Sequence, residues 1–401
     1  MNILFLTLAK INTLKERGIY HDLMREFSNH NHNVYIVSPI ERREGQKTTE
    51  RKEGNATFLN VKTLNIQKTN FIEKGISTLA IEKLFLNAIK KYFSKVKFDL
   101  IIYSTPPITF TGVIKYIKQR DNAKSYLLLK DIFPQNAVDM KLLSKKGILY
   151  KYFRNKEREL YNISDKIGCM SEANVKFVLN HNSYISKEKV EINPNSIDLQ
   201  LVADISEDNK KKIREKYQIP YNRRVFIYGG NLGRPQGIDF LIETLQAKSR
   251  DKDIFFVIAG SGTEYDKLKN WFDSFKPENV LLLPAIPKSD YDLLVQSCDI
   301  GLIFLHKDFL IPNYPSRLLS YLEFKMPVLA ATDSNTDIGT DIVKNNCGMA
   351  VHSDDLKSMI NAIDTLKEMD GAKFEVLRQN SLNFLKKEFQ VEQSYFKIIE
   401  A

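Results

Sequence analysis

Short apolar runs, each the length of one buried strand, alternate with helix-length amphipathic segments from one end of the chain to the other. Runs at 3–8, 33–38, 100–104, 125–129, 166–170 and 190–193 make one series. Runs at 225–229, 254–259, 280–284, 300–305, 328–331 and 348–351 make a second. Between them apolar positions recur at helical spacing, as in 238–247, 264–275 and 291–297. Such strand–helix alternation predicts parallel sheets with helices on both faces. Two series predict two doubly wound α/β domains, which 401 residues accommodate comfortably. Ligands are then expected at the carboxyl ends of the strands. The polar stretch 198–209, lacking strong periodicity, is the expected linker.

Three cysteines, Cys169, Cys298 and Cys347, stand far apart with no CxxC pair or Cys/His cluster. That pattern points to a reducing compartment and away from a metal site. No apolar run approaches a bilayer span, and the apolar start at 1–8 is too short for a signal-peptide core. The expected location is inside the cell. Charge is uneven: residues 1–200 carry 33 Lys and Arg against 20 Asp and Glu, whereas 201–401 carry 26 against 29. The net +10 of the chain therefore belongs to the first half, which predicts an anionic partner there. Nucleic acid and an anionic membrane face are the two candidates.

The second series carries glycine turns where strands meet helices. The run at 225–229 leads into Gly229-Gly230-Asn231-Leu232-Gly233-Arg234-Pro235-Gln236-Gly237, and the run at 254–259 into Gly260-Ser261-Gly262. Such turns let backbone amides approach a phosphate; a tight strand–helix turn is the plainer reading of either alone. A dehydrogenase is disfavoured, because the run at 3–8 is not followed by GxGxxG, and no loop ends in the GKS/T of a P-loop. Further on, Ser316 is the expected N-cap of a helix at 317–324, with Arg317 in its first turn suited to a diphosphate.

The order and spacing of these segments resemble family 4 of the GT-B glycosyltransferases over almost the whole chain. Asn193-Pro194-Asn195-Ser196-Ile197-Asp198 resembles that family's hinge, Gly230 to Gly237 and Gly260 to Glu264 its glycine loops, and Ser320 to Pro327 its acidic helix. Ser104-Thr105-Pro106-Pro107, Lys130 to Ala137 and Pro315-Ser316-Arg317 are similar to a narrower group. That group comprises bacterial O-antigen and capsule transferases handling N-acetyl-L-fucosamine, a staphylococcal capsule-synthesis enzyme among them. The resemblance implies two Rossmann-like domains facing across a cleft: an acceptor domain at 1–196 and a nucleotide-sugar domain at 197–385, with a helix near 386–401 returning to the first. It implies a UDP-sugar donor, no metal or other cofactor, and a lipid-linked saccharide acceptor.

Carried over residue by residue, the donor set is Gly230, Asn231, Arg234, Gln236, Gly260, Gly262, Ala285, Ile286, Tyr314, Ser316, Arg317 and Ser320. The chain departs from the family in telling places. The Arg and Lys that grip a diphosphate fall on Asn231 and Gln236, leaving Arg234 and Arg317 to supply charge. The paired glutamates fall on Pro312 and Ser320, and Glu323, nearly one turn later, is expected to face solvent. In the first domain, Asp131 is the candidate for aligning an acceptor hydroxyl and Lys130 for contacting phosphate. Arg17, Gly18, His21 and Pro107 are the candidate acceptor contacts.

Two basic, aromatic segments remain. One, at 71–93, includes Phe71, Ile72, Ile76, Phe85, Ile89 and Phe93 with several lysines; the other, at 141–158, carries seven Lys and Arg against one acid. A buried helix face with solvated lysines explains either alone, but with the basic first half both suit shallow insertion at an anionic bilayer surface. Lys145, Lys146, Lys151 and Arg154 are the expected membrane contacts, which makes the chain a peripheral protein of the inner membrane face rather than a nucleic-acid binder. The rival readings are a sugar-nucleotide epimerase of the same fold and a basic nucleic-acid-binding protein.

Overall fold

The computed structural model describes residues 1–66, 71–199 and 205–401, apart from the side chains of 71–76 and 78. The chain forms two compact units, Met1–Asp198 with Gln390–Ala401, and Leu199–Phe389.

Unit 1 is built on eight strands: β1 (Asn2–Leu6), β2 (Asn33–Glu41), β3 (Thr49–Glu53), β4 (Ala56–Thr63), β5 (Leu100–Ser104), β6 (Lys124–Leu129), β7 (Lys166–Cys169) and β8 (Val190–Ile192). Their order is β3-β4-β2-β1-β5-β6-β7-β8, parallel except for the β3–β4 pair. In β5 all five residues are buried, as a strand covered by helices on both faces must be. Phe5, Phe27, Ile36, Phe58 and Ile102 share one core beside β1. Each such side chain contributes about 1.5–3 kcal/mol on leaving water.

The sequence reading missed β3 and β4. Strand β3 reads Thr-Glu-Arg-Lys-Glu and is exposed at the sheet edge, so no apolar run betrays it, and its charges guard an open edge. It turns into β4 through Gly54 and Asn55, with Gly54 at φ +58°, and Glu53 pairs with Ala56.

Unit 2 holds a six-stranded, wholly parallel sheet: β9 (Arg224–Asn231), β10 (Ile254–Ser261), β11 (Val280–Leu283), β12 (Ile300–Phe304), β13 (Val328–Thr332) and β14 (Gly348–His352). The order β11-β10-β9-β12-β13-β14 shows how it is wound. The chain moves outward from β9 through β10 to β11, then crosses back to lay β12 on the other side of β9. The gap between β9 and β12 is thus a topological switch point, where open α/β sheets bind ligands.

The expected linker ends sooner than periodicity suggested, because Glu207–Lys216 is a helix. Its signals are polar: the Ser206 side chain accepts from the Asn209 amide, and Glu207 and Asp208 occupy the first turn. Buried Arg214 secures it, donating to the Ser297 carbonyl at 2.8 Å and pairing with Asp299 at 3.3 Å. At the other end, Val391–Glu400 belongs to unit 1. Tyr395 packs edge-on to Phe27 with ring centroids 4.9 Å apart, and the Val391 amide donates to the Ile197 carbonyl.

Candidate active site

A cavity of about 690 Å³ opens at the carboxyl ends of β9, β10 and β11. Its wall is made by Gly229, Gly230 and Asn231, by Ala259, Gly260 and Ser261, and by Ala285 and Ile286. The helix Lys288–Gln296 adds Lys288, Tyr291 and Asp292. The approach to helix Arg317–Glu323 adds Asn313, Pro315, Ser316, Arg317 and Ser320. Parallel strands end together here, so loops distant in sequence converge on one place.

Two glycines at this wall are steric requirements. A Cβ on Gly260 would overlap the Gly230 carbonyl of the neighbouring strand, and one on Gly229 would overlap the Tyr291 hydroxyl. Gly262, read as a donor contact, lies against the Leu232 backbone and is not part of the wall. The amides standing where a cationic pair was expected bond to each other: Asn231 Nδ2 donates to Gln236 Oε1 at 3.0 Å, and that oxygen also accepts from the Gly233 amide. They shape the turn. Arg234 is exposed on the same turn, outside the cavity wall.

Arg317 is placed differently. Its guanidinium carbon lies 4.1 Å from the centre of the buried Tyr228 ring, and Nη2 donates to the Asn231 carbonyl at 3.3 Å. Nη1 is buried and makes no hydrogen bond. Burial pushes the nearby Tyr291 phenol up to about 12, so it stays neutral at pH 7 and leaves the guanidinium charge unopposed. A cavity with a half-buried cation at its wall, one of whose donors is buried and unpartnered, is built for an anion.

Three expectations need correction. Ser316 does not cap its helix with its side chain: its own backbone is already helical, and the turn starts at Pro315, whose carbonyl accepts from the Leu318 amide at 3.2 Å. Tyr314 does not reach the cavity, because its hydroxyl donates to Asp341 at 3.0 Å within the buried layer. Glu323 is 9% exposed and does not face solvent. The reading missed Ser261, Lys288, Tyr291 and Asp292. It began that helix at 291, whereas the helix opens at Lys288, which pairs with Asp292 one turn later at 2.8 Å.

In unit 1 the loops after β1, β5 and β6 are neighbours, because those strands are adjacent. Thr105 ties two of them together: its hydroxyl accepts from the Lys130 and Asp131 amides and donates to the Asp131 carbonyl. Pro107 is buried beside it in sequence. Both Asp131 carboxylate oxygens accept from Asn136 Nδ2 at 2.7 Å. The Lys130 ammonium turns inward to the Asn193 carbonyl at 3.0 Å, and burial pushes its pKa down to about 7. It is therefore committed to the fold rather than presented to a phosphate. After β1, Arg17 reaches the Asp198 carbonyl at 3.4 Å, and the Gly18 amide donates to buried Asp22. His21 lies 3.6 Å from Glu16, and burial lowers its pKa.

Of the two basic segments, 71–93 is a helix from Phe71 to Tyr92 whose Phe85 and Ile89, with Phe93 just beyond, are fully buried. Those side chains fill the core, with Phe85 stacked on Phe110, so they cannot enter a bilayer. Phe71, Ile72 and Ile76 lie outside the described side chains. In 141–158, Arg154 is also structural: it pairs with buried Glu157 and donates to Asn182 Oδ1 at 2.6 Å. Lys145, Lys146 and Lys151 are exposed beside Leu142, Leu149, Tyr152 and Ile148, the last 85% exposed.

Residues 209–383, almost all of unit 2, match the family Glycosyl transferases group 1. The chain is a glycosyltransferase. "Probable glycosyltransferase WbjE" of Pseudomonas aeruginosa is 23% identical over 338 residues, 79% of each chain. "Putative colanic acid biosynthesis glycosyl transferase WcaI" of Escherichia coli is 21% identical over 155 residues, 39% of this chain and 38% of that one. Among solved structures, "Trehalose-6-phosphate from E. coli bound with UDP-2-fluoro glucose" superposes with a TM-score of 0.76 at 11% identity, covering 99% of this chain and 98% of that one. With its two Rossmann-like units, this glycosyltransferase has the GT-B fold.

Proposed function

We propose that this glycosyltransferase holds a UDP-sugar in the unit 2 cavity and moves the sugar to a lipid-linked saccharide in the synthesis of a bacterial surface polysaccharide, with N-acetyl-L-fucosamine as the sugar. The observation that carries the reading is Arg317, a half-buried cation at a cavity wall whose Nη1 is buried with no hydrogen-bond partner. As the sugar–phosphate bond breaks, negative charge gathers on the departing diphosphate while the sugar becomes oxocarbenium-like. A fixed guanidinium and the amides of the Gly230 and Ser316 loops then stabilise the leaving group without having to reorganise. Asp131, held by Asn136, is assigned to aligning the acceptor hydroxyl. The names of the two relatives support a sugar-transferring role, one of them in colanic acid synthesis, and the UDP-2-fluoro glucose in the solved structure supports a uridine donor. The test is transfer: purified protein, a panel of UDP-sugars and an undecaprenyl-diphosphate-linked amino sugar. Labelled sugar should appear in the lipid product. Free epimer without acceptor would overturn the reading.

The exposed apolar and basic residues at 142–152 support docking at the inner membrane face, and no described helix is long and apolar enough to cross a membrane. A lysine near an anionic surface is worth about 1 kcal/mol, so losing three should weaken partition roughly a hundredfold at low salt. Lys145→Ser, Lys146→Ser and Lys151→Ser combined should therefore sediment poorly with anionic vesicles while melting like wild type. Unchanged co-sedimentation would remove this surface from the account. Arg154→Ser should instead lower the melting temperature, because it strands buried Glu157.

A further inference from the structure

We infer that Tyr228, which forms no part of the cavity wall, is the positioning residue that aims Arg317 at the donor's diphosphate. The inference rests on the donor reading above. Tyr228 is fully buried near the end of β9, with Phe304 behind it at 6.3 Å between ring centroids. Its ring and its hydroxyl both act on Arg317. The ring lies 4.1 Å from the guanidinium carbon, close enough for its negative face to hold the cation. The hydroxyl donates to the Asn231 carbonyl at 2.8 Å, the same oxygen that accepts from Arg317 Nη2 at 3.3 Å. One phenol thus supports the guanidinium from its face and anchors the acceptor that fixes one of its nitrogens. Nη1 is left as the unpartnered buried donor.

An arginine is otherwise a long, rotamer-rich side chain that must lose freedom when it grips an anion. Held on Tyr228, it has already lost that freedom before ligand arrives, which is the preorganisation that stabilising a leaving group demands. Tyr228 never touches the diphosphate in this arrangement. Its effect is transmitted entirely through Arg317, and that separates it from a residue that merely keeps unit 2 folded.

The test varies the ring without changing its shape. Tyr228→Phe keeps the face but loses the carbonyl anchor; replacing Tyr228 with trifluorinated phenylalanine, by nonsense suppression, keeps the shape and drains the negative face. UDP affinity measured by calorimetry should fall stepwise through tyrosine, phenylalanine and trifluorophenylalanine, by about tenfold in total. Uridine affinity should stay level, and in an Arg317→Ala background the UDP series should go flat. A flat UDP series with Arg317 intact, or a fall that persists without Arg317, would overturn the inference. If Arg317→Ala alone leaves UDP affinity unchanged, the donor reading itself fails, whatever position 228 does.

Discussion

Arg317→Ala should lower turnover about a hundredfold, the usual cost of removing one charge-assisted donor from a leaving group, on the order of 3 kcal/mol. The effect should fall more on turnover than on donor affinity, because the diphosphate gains charge only as the bond to the sugar breaks. Arg317→Lys should recover part of the rate. An ammonium carries the charge but cannot bond the Asn231 carbonyl through one nitrogen and the ligand through another. Folding should not be the cause of the loss: Arg317 is only half-buried, and the variant gives up one ring contact and one 3.3 Å hydrogen bond while relieving the burial of an unpartnered Nη1. The alanine variant is expected to melt at or near the wild-type temperature. Wild-type turnover in both variants would mean that the diphosphate does not lie at this wall.

Gly260→Ala should cost stability rather than chemistry. Gly260 pairs with Gly230 across β10 and β9, and an added Cβ would run into the Gly230 carbonyl, a backbone atom that cannot swing aside. Overpacking a side chain costs about 1–3 kcal/mol, and forcing two adjacent strands apart should exceed that range. Gly229→Ala is the instructive comparison, because the atom it meets is the end of the Tyr291 side chain, which can move. Urea unfolding should show a large loss for Gly260→Ala and a smaller one for Gly229→Ala. A wild-type midpoint for Gly260→Ala would contradict the close approach of these loops.

These two positions also show what could be read from residues alone. Twelve apolar runs were enough to locate twelve strands, whereas β4, though buried, escaped because Thr57, Asn60, Lys62 and Thr63 break up its apolar positions. Strand β3 escaped because an exposed edge has no need of apolar residues. Arg317 was legible because a cation in the first turn of a helix, in a chain lacking the usual Arg and Lys, has few other duties. The glycines were recognised as important, but their reason was mistaken in part. A glycine that admits a phosphate and one that admits a neighbouring carbonyl look the same in a sequence. Phe85 and Arg154 were misjudged on similar grounds. Amphipathic spacing does not say whether an apolar face meets a core or a membrane, nor whether an arginine will find a buried glutamate three residues on. Tyr291 and Lys288 left no signal, since their place at the cavity depends on how their helix meets β9.

If the unit 2 cavity binds a nucleoside diphosphate through Arg317, calorimetry with UDP and with uridine should show it. UDP, the leaving group after transfer, already carries the charge that develops during reaction, whereas uridine lacks the diphosphate altogether. Wild-type protein should bind UDP saturably and much more tightly than uridine, and most of that difference should disappear in Arg317→Ala. Equal affinity of the wild type for UDP and uridine, or a preference for UDP that survives without Arg317, would contradict the account.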